Sequence, residues 1–144
     1  MVQNLMKFDQ ENIIFHHTGI ITSDINLSVS FFSSLGYKSS KIYNDDQQQS
    51  YIALLNKPNS PMIELITPIN NKSPAEGWIK RIGSGAYHIC FEIKNVSLID
   101  AIDYYKSFNF TPVSKPTLSP VFKGSNAVFL WGKPGGLIEL LGSI

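Results

Sequence analysis

The chain has little of what marks several large classes of protein. It has one cysteine, Cys90, which excludes an internal disulfide and is expected to pack as a small apolar residue. It has one arginine, Arg81, and scattered lysines, whereas nucleic-acid binding needs a clustered basic surface. No apolar run reaches the roughly 18 residues that span a membrane, and the N-terminal segment MVQNLMKFDQEN lacks the apolar stretch of a secretory signal. We therefore expect a soluble, cytoplasmic protein that acts on a small molecule and binds neither nucleic acid nor membrane.

What the chain does have is an apolar pattern that occurs twice. Hydrophobic residues make up 43% of its 144 residues, which is enough to bury the core of one compact domain. Each half begins with a histidine-bearing apolar segment, continues with a helical segment and ends with strand-like segments, the last of which reads Ile-Glu-Leu. Because internal repeats determine the architecture, the sequence predicts an α+β protein made of two similar modules.

Capping signals predict three helices. Asp24 and Ser97 occupy N-cap positions in the two halves, and Gly36 and Asn109 stand where a left-handed residue ends each helix. Ser73 caps a short helix between the halves, with proline at its first position. The segment GKPGG at 132–136 predicts a tight turn between two strands.

Two kinds of metal-ligating residue lie within the strand-like segments. His16 and His17 are adjacent, so strand alternation places them on opposite faces, and the second half has His88 in the corresponding segment. Glu64 and Glu139 lie between apolar neighbours, where a buried carboxylate is costly unless a cation compensates its charge. Each residue alone is more often an ordinary polar residue. If the halves pack about a pseudo-twofold axis, however, two imidazoles and two carboxylates converge and suit a divalent transition metal.

At these residues the chain resembles the vicinal oxygen chelate superfamily, the group of glyoxalases, bleomycin-resistance proteins and extradiol dioxygenases. The resemblance runs from about residue 13 to 142 and is strongest to methylmalonyl-CoA epimerases, in HHTGIITSDINLSVSFFSSLGY, IELITPINNKSPAEGWIKRIGSGAYHICFEI and GGLIELL. It implies two tandem βαβββ modules that form a curved mixed sheet, or open barrel, around a metal site. It also implies one domain over 13–144, with module 1 (13–70), a linking helix (73–82) and module 2 (86–142).

The resemblance also implies a ligand set and an activity. His17, Glu64, His88 and Glu139 would bind a divalent metal ion (Co, Ni, Mn or Zn), with His16 turned away. The activity would be epimerisation of a 2-methyl-branched acyl-CoA, by α-proton transfer through a metal-stabilised enolate, with Glu139 as an acid/base. Relatives of this fold form homodimers, so a homodimer is expected here.

The chain departs from the epimerase pattern at one position. Those enzymes carry a glutamate, proposed as a base, just ahead of the strand that corresponds to YIALL, and Gln47 stands there in this chain. Since an amide cannot abstract a proton, we hypothesise that Asp46 replaces this base, with Asp45 as the alternative. A coenzyme A substrate also needs cations near its phosphates, and the candidates are Arg81, Lys115 and Lys123, together with Lys80 and Lys133.

Several other functions are compatible with the same fold. A glyoxalase I-like lyase or isomerase would use the same four ligands. An extradiol-type iron dioxygenase needs only two histidines and one carboxylate, so the fourth ligand argues against it. A non-catalytic, resistance-type binding protein would hold no tightly bound metal. Loss of activity on chelation and its recovery with metal would therefore distinguish an enzyme from a binding protein.

Overall fold

A computed structural model of the chain describes residues 8–133 and 136–144. These residues form three α-helices and ten strands in parallel and antiparallel pairs, which confirms the α+β class with mixed sheet. The helices are α1 (Ile25–Ser33), α2 (Pro74–Ile82) and α3 (Leu98–Lys106); the strands are β1 (Ile13–Ile21), β2 (Lys38–Ser39), β3 (Tyr43–Asp45), β4 (Ser50–Asn56), β5 (Met62–Pro68), β6 (Gly85–Ile93), β7 (Phe110–Pro112), β8 (Thr117–Leu118), β9 (Asn126–Gly132) and β10 (Gly136–Gly142). The chain divides into two compact units, a first unit of residues 17–87 and a second unit that contains residues 8–16, 88–133 and 136–144.

The first unit has its helix α1 on one face of a mixed sheet. The strand order is β2-β4-β5-β1, with β3 paired to β4; β1 and β5 are parallel, and β4 and β5 are antiparallel. Ile25 of α1 packs with Leu55 and Leu65 in a buried apolar cluster. Because side chains alternate along a strand, His17 and Glu64 lie on the other face of this sheet.

The second unit repeats this layering. Its strand order is β6-β10-β9-β7, with β8 paired to β9, and β6 and β10 are parallel. Leu98 of α3 packs with Val128 and Leu140 in a second buried cluster. Along β6 and β10, His88 and Glu139 alternate with the residues that pack against α3, so they lie on the other face of the sheet.

The capping signals in the sequence are confirmed. The side chains of Asp24, Ser73 and Ser97 each accept a backbone N–H in the first turn of the helix that they precede. Gly36 and Asn109 have φ values of 92° and 66°, the left-handed conformation expected just beyond a helix end. These local signals fix where each of the three helices begins and ends.

Part of the sequence prediction falls outside the described residues. Residues 134–135 of the predicted turn and the N-terminal segment up to residue 7 belong there. Within the ranges that the structure describes, no helix combines the length and apolarity needed to cross a membrane.

Candidate functional site

The first unit holds a buried histidine–glutamate pair. In the parallel register of β1 and β5, Glu64 lies opposite Gly19, and His17 precedes Gly19 by two residues on the same face. Nε2 of His17 lies 3.4 Å from Oε2 of Glu64, and the side chains are 0% and 5% exposed. A carboxylate buried to this extent requires compensation by positive charge or by hydrogen bonds.

The second unit holds a pair with the same local geometry. Glu139 of β10 lies opposite Cys90 of the parallel strand β6, and His88 precedes Cys90 by two residues. Nε2 of His88 lies 3.4 Å from Oε2 of Glu139, with side-chain exposures of 0% and 6%. The repeat visible in the sequence therefore produces the same register and the same donor distance in each unit.

The environment of His88 suits a metal ligand. Burial lowers the pKa of His88 to about 3, so its imidazole is neutral at neutral pH and keeps a nitrogen lone pair for a metal. The ring packs edge-on against Phe129, with centroids 5.2 Å apart, which restrains its orientation. A neutral imidazole does not balance the charge of the adjacent Glu139 carboxylate, whereas a bound cation would. The donor set of this unit thus fits a divalent metal.

Cys90 makes a contact that sequence reasoning missed. Its Sγ donates a hydrogen bond to Oε1 of Glu139 over 3.4 Å, and the residue is fully buried. The expectation of plain apolar packing was therefore incomplete. Strand alternation, which puts Cys90 on the face of His88, was the signal that pointed towards Glu139.

His16 occupies the other side of β1 from His17. It is half-buried, and its ring meets Phe122 edge-on at 4.7 Å. Burial lowers its pKa; Glu92 opposes this effect and Lys94 adds to it. His16 thus has an environment unlike that of His17.

The two candidate bases beside Gln47 lie in different surroundings. Asp45 ends β3 with 2% exposure, and its Oδ1 accepts the backbone N–H groups of Gln47 and Gln48, each over 3.1 Å. Asp46 and Gln47 are exposed in the turn that follows. The carboxylate of Asp45 is engaged in holding the turn, whereas that of Asp46 faces solvent.

The candidate phosphate-binding cations are exposed. Arg81 lies in the last turn of α2, where its Nε donates to the carbonyl of Gly77 and its guanidinium lies 5.8 Å from the ring of Trp78. Lys115 lies between β7 and β8, and Lys123 lies between β8 and β9. Because all three side chains are exposed, each can contact an anion in solution.

Comparison with known proteins establishes the family. The sequence model of the Glyoxalase/Bleomycin resistance protein/Dioxygenase superfamily matches residues 16–129. The chain belongs to this superfamily, which confirms the resemblance read from the sequence. Among curated protein sequences, none matches the chain.

Solved structures share the fold over most of the chain. A hypothetical protein from Bacillus halodurans is 25% identical with a TM-score of 0.78, covering 92% of this chain and 95% of that chain. A variant of Streptomyces coelicolor methylmalonyl-CoA epimerase in complex with 2-nitronate-propionyl-CoA is 25% identical with a TM-score of 0.76, covering 90% and 93%. Methylmalonyl-CoA epimerase from Mycobacterium tuberculosis is 22% identical with a TM-score of 0.79, covering 97% and 95%, and this likeness shows the fold alone.

Proposed function

We propose that this protein is a metal-dependent epimerase of a 2-methyl-branched acyl-CoA, with methylmalonyl-CoA as its preferred substrate. The observation that carries the proposal is the buried histidine–glutamate pair, which occurs once in each unit with the same 3.4 Å separation. The substrate class is supported by the similar epimerases, one of which has 2-nitronate-propionyl-CoA bound and another methylmalonyl-CoA.

The two pairs would hold one divalent metal ion between them. His17, Glu64, His88 and Glu139 are all buried, and each offers one ligand atom. Two imidazole nitrogens and two carboxylate oxygens suit Co, Ni, Mn or Zn. When bound, the metal would act as a Lewis acid towards the thioester carbonyl and lower the energy of the enolate left by loss of the α-proton.

Epimerisation needs two proton-transfer groups, because the α-proton leaves one face of the substrate and returns to the other. Glu139 is proposed for one face, since its buried carboxylate is held in a defined orientation by His88 and Cys90. Asp46 is proposed for the other face. Its exposed carboxylate is available for this role, whereas that of Asp45 is engaged with two backbone N–H groups of the turn.

The exposed cationic side chains would bind the phosphates of coenzyme A. Arg81 presents a planar guanidinium that matches phosphate geometry, and Lys115 and Lys123 would add positive charge from their loops. Substitution of these residues should raise KM with little change in kcat, because the phosphates lie away from the reacting carbon and bind equally in the ground state and the transition state.

Deuterium uptake at C2 of methylmalonyl-CoA in D₂O tests the proposal. Cobalt-loaded protein should exchange the α-proton rapidly, chelated protein should not, and re-addition of cobalt should restore exchange. His16→Ala should retain exchange, because His16 is not one of the four proposed ligands. Absence of exchange from folded, cobalt-loaded protein would overturn the epimerase proposal.

A further inference from the structure

We propose that Cys90 is a positioning residue, whose thiol fixes the carboxylate of Glu139 in the orientation that presents its other oxygen towards His88. The inference rests on the proposed function, in which Glu139 both binds the metal and moves a proton. It extends that function to a residue outside the four proposed ligands.

The two oxygens of Glu139 have different partners. Oε1 accepts the Cys90 thiol over 3.4 Å, and Oε2 lies 3.4 Å from Nε2 of His88. The terminal torsion of a glutamate is intrinsically broad, so packing alone selects a carboxylate plane poorly. Contacts at both oxygens define that plane. Loss of the thiol would remove the contact at Oε1, so the carboxylate would be held less firmly in this plane.

The contact between Cys90 and Glu139 follows from the register of the two strands that carry them. Cys90 and Glu139 are paired positions on the parallel strands β6 and β10, so their side chains leave the sheet side by side on one face. Cys90 is 0% exposed and Glu139 is 4% exposed. A thiol is normally a weak hydrogen-bond donor. Because water competes little for the carboxylate at such a buried position, the hydrogen bond from the thiol to the carboxylate is stronger than it would be in water.

The repeat supplies an internal comparison. Gly19 occupies the corresponding position in the first unit, opposite Glu64 in the same parallel register. Glycine offers no side-chain donor, so the two halves differ at the position that orients the glutamate. Metal-binding carboxylates are commonly held in this way by a hydrogen bond to their second oxygen.

Three variants separate positioning from simple packing. Cys90→Ala removes the donor, and Cys90→Ser keeps a hydroxyl donor at the same position. Ile93→Val removes a methyl group from another buried residue of β6, on the face away from Glu139. Cobalt affinity, measured by chelator competition, and the visible absorption spectrum of the cobalt protein report the ligand geometry without any substrate.

We expect Cys90→Ala to bind cobalt about 10-fold more weakly, at the low end for loss of a hydrogen bond to a metal ligand, with a changed visible spectrum. Cys90→Ser should recover affinity and spectrum, and Ile93→Val should match the native protein. In deuterium exchange, Cys90→Ala should lower kcat with little change in KM.

Three results would overturn the inference. Cys90→Ala could retain native cobalt affinity and spectrum, Cys90→Ser could lose both as fully as the alanine variant, or the native protein could show a sulfur-to-cobalt charge-transfer band, which would make Cys90 a ligand. Failure of the native protein to bind cobalt would overturn the inference together with the metal site. Failure of the native protein to exchange deuterium, with the cobalt differences intact, would overturn only the proposed substrate.

Discussion

Nε2 of His88 lies 3.4 Å from Oε2 of Glu139, and both side chains are buried. Burial also lowers the pKa of His88 to about 3, so the imidazole is neutral beside the carboxylate. The pair is well suited to a cation, because a bound metal ion would bring positive charge to a buried carboxylate. His17 and Glu64 have the same separation, so the first unit repeats this arrangement.

Glu139→Gln should abolish most of the α-proton exchange. The amide keeps the shape of the side chain but cannot accept the proton, and it is a poorer metal ligand, so we expect a loss of about 100-fold or more in the exchange rate. Asp103→Asn is the matched control, since this exposed carboxylate of α3 pairs with Lys106 on the surface. Exchange by Glu139→Gln at the rate of the control would remove Glu139 from the mechanism.

Asp46 and Asp45 should respond in opposite ways to substitution. Asp46→Asn should lower exchange about 100-fold or more and change the free energy of unfolding by less than about 0.5 kcal/mol, because the residue is exposed. Asp45→Ala should lose about 1–3 kcal/mol of stability, because its buried carboxylate accepts two backbone N–H groups. Chemical denaturation and exchange assays on both variants measure this. Unchanged turnover in Asp46→Asn would rule out its role as a base.

Gly132 is required by the close approach of Phe110. The two residues are paired across β7 and β9, and a Cβ at position 132 would collide with the Phe110 ring. Gly132→Ala should therefore destabilise the fold by about 1–3 kcal/mol, and adding Phe110→Leu should recover part of the loss. Gly77→Ala in α2 is the control, since its Cβ would meet open space and alanine favours a helix by about 1 kcal/mol. Equal stability of the two alanine variants in denaturant would contradict the geometry.

Tyr105 should make the fold sensitive to high pH. Burial, with a smaller effect of Tyr104, raises its pKa from 10.0 to about 12. A phenol pKa that is raised by folding stabilises the folded state at pH values below the pKa of the same tyrosine in the unfolded chain. That contribution is lost as the pH rises from about 10 to about 12. Tyr105→Phe should flatten the dependence of the unfolding free energy in this window, whereas Tyr51→Phe, at an exposed tyrosine, should not. The same slope in both variants would argue against the assignment.

Much of the fold was readable from the sequence because its signals are local. The caps at Asp24, Ser73 and Ser97 depend on residues within one turn of chain, and all three form as expected. The pairing of each histidine with its glutamate followed from strand alternation and from the repeat. Both are patterns that a single sequence displays directly.

The remaining details depend on register and burial, which the local sequence does not determine. Two adjacent aspartates look alike in the sequence, yet the end of β3 buries Asp45 and leaves Asp46 in solvent. The contact between Cys90 and Glu139 depends on the register of two parallel strands whose residues are far apart in the chain. Such a register is set by the packing of a whole sheet face rather than by the neighbouring residues.

The cobalt stoichiometry of the native protein and of three histidine variants tests the central proposal most directly. If the two histidine–glutamate pairs share one ion, the native protein binds one cobalt per chain, His17→Ala and His88→Ala each lose tight binding altogether, and His16→Ala keeps it. Two cobalt ions per chain, or retention of a tight ion by either His17→Ala or His88→Ala, would show that the pairs act separately and would contradict the single metal site.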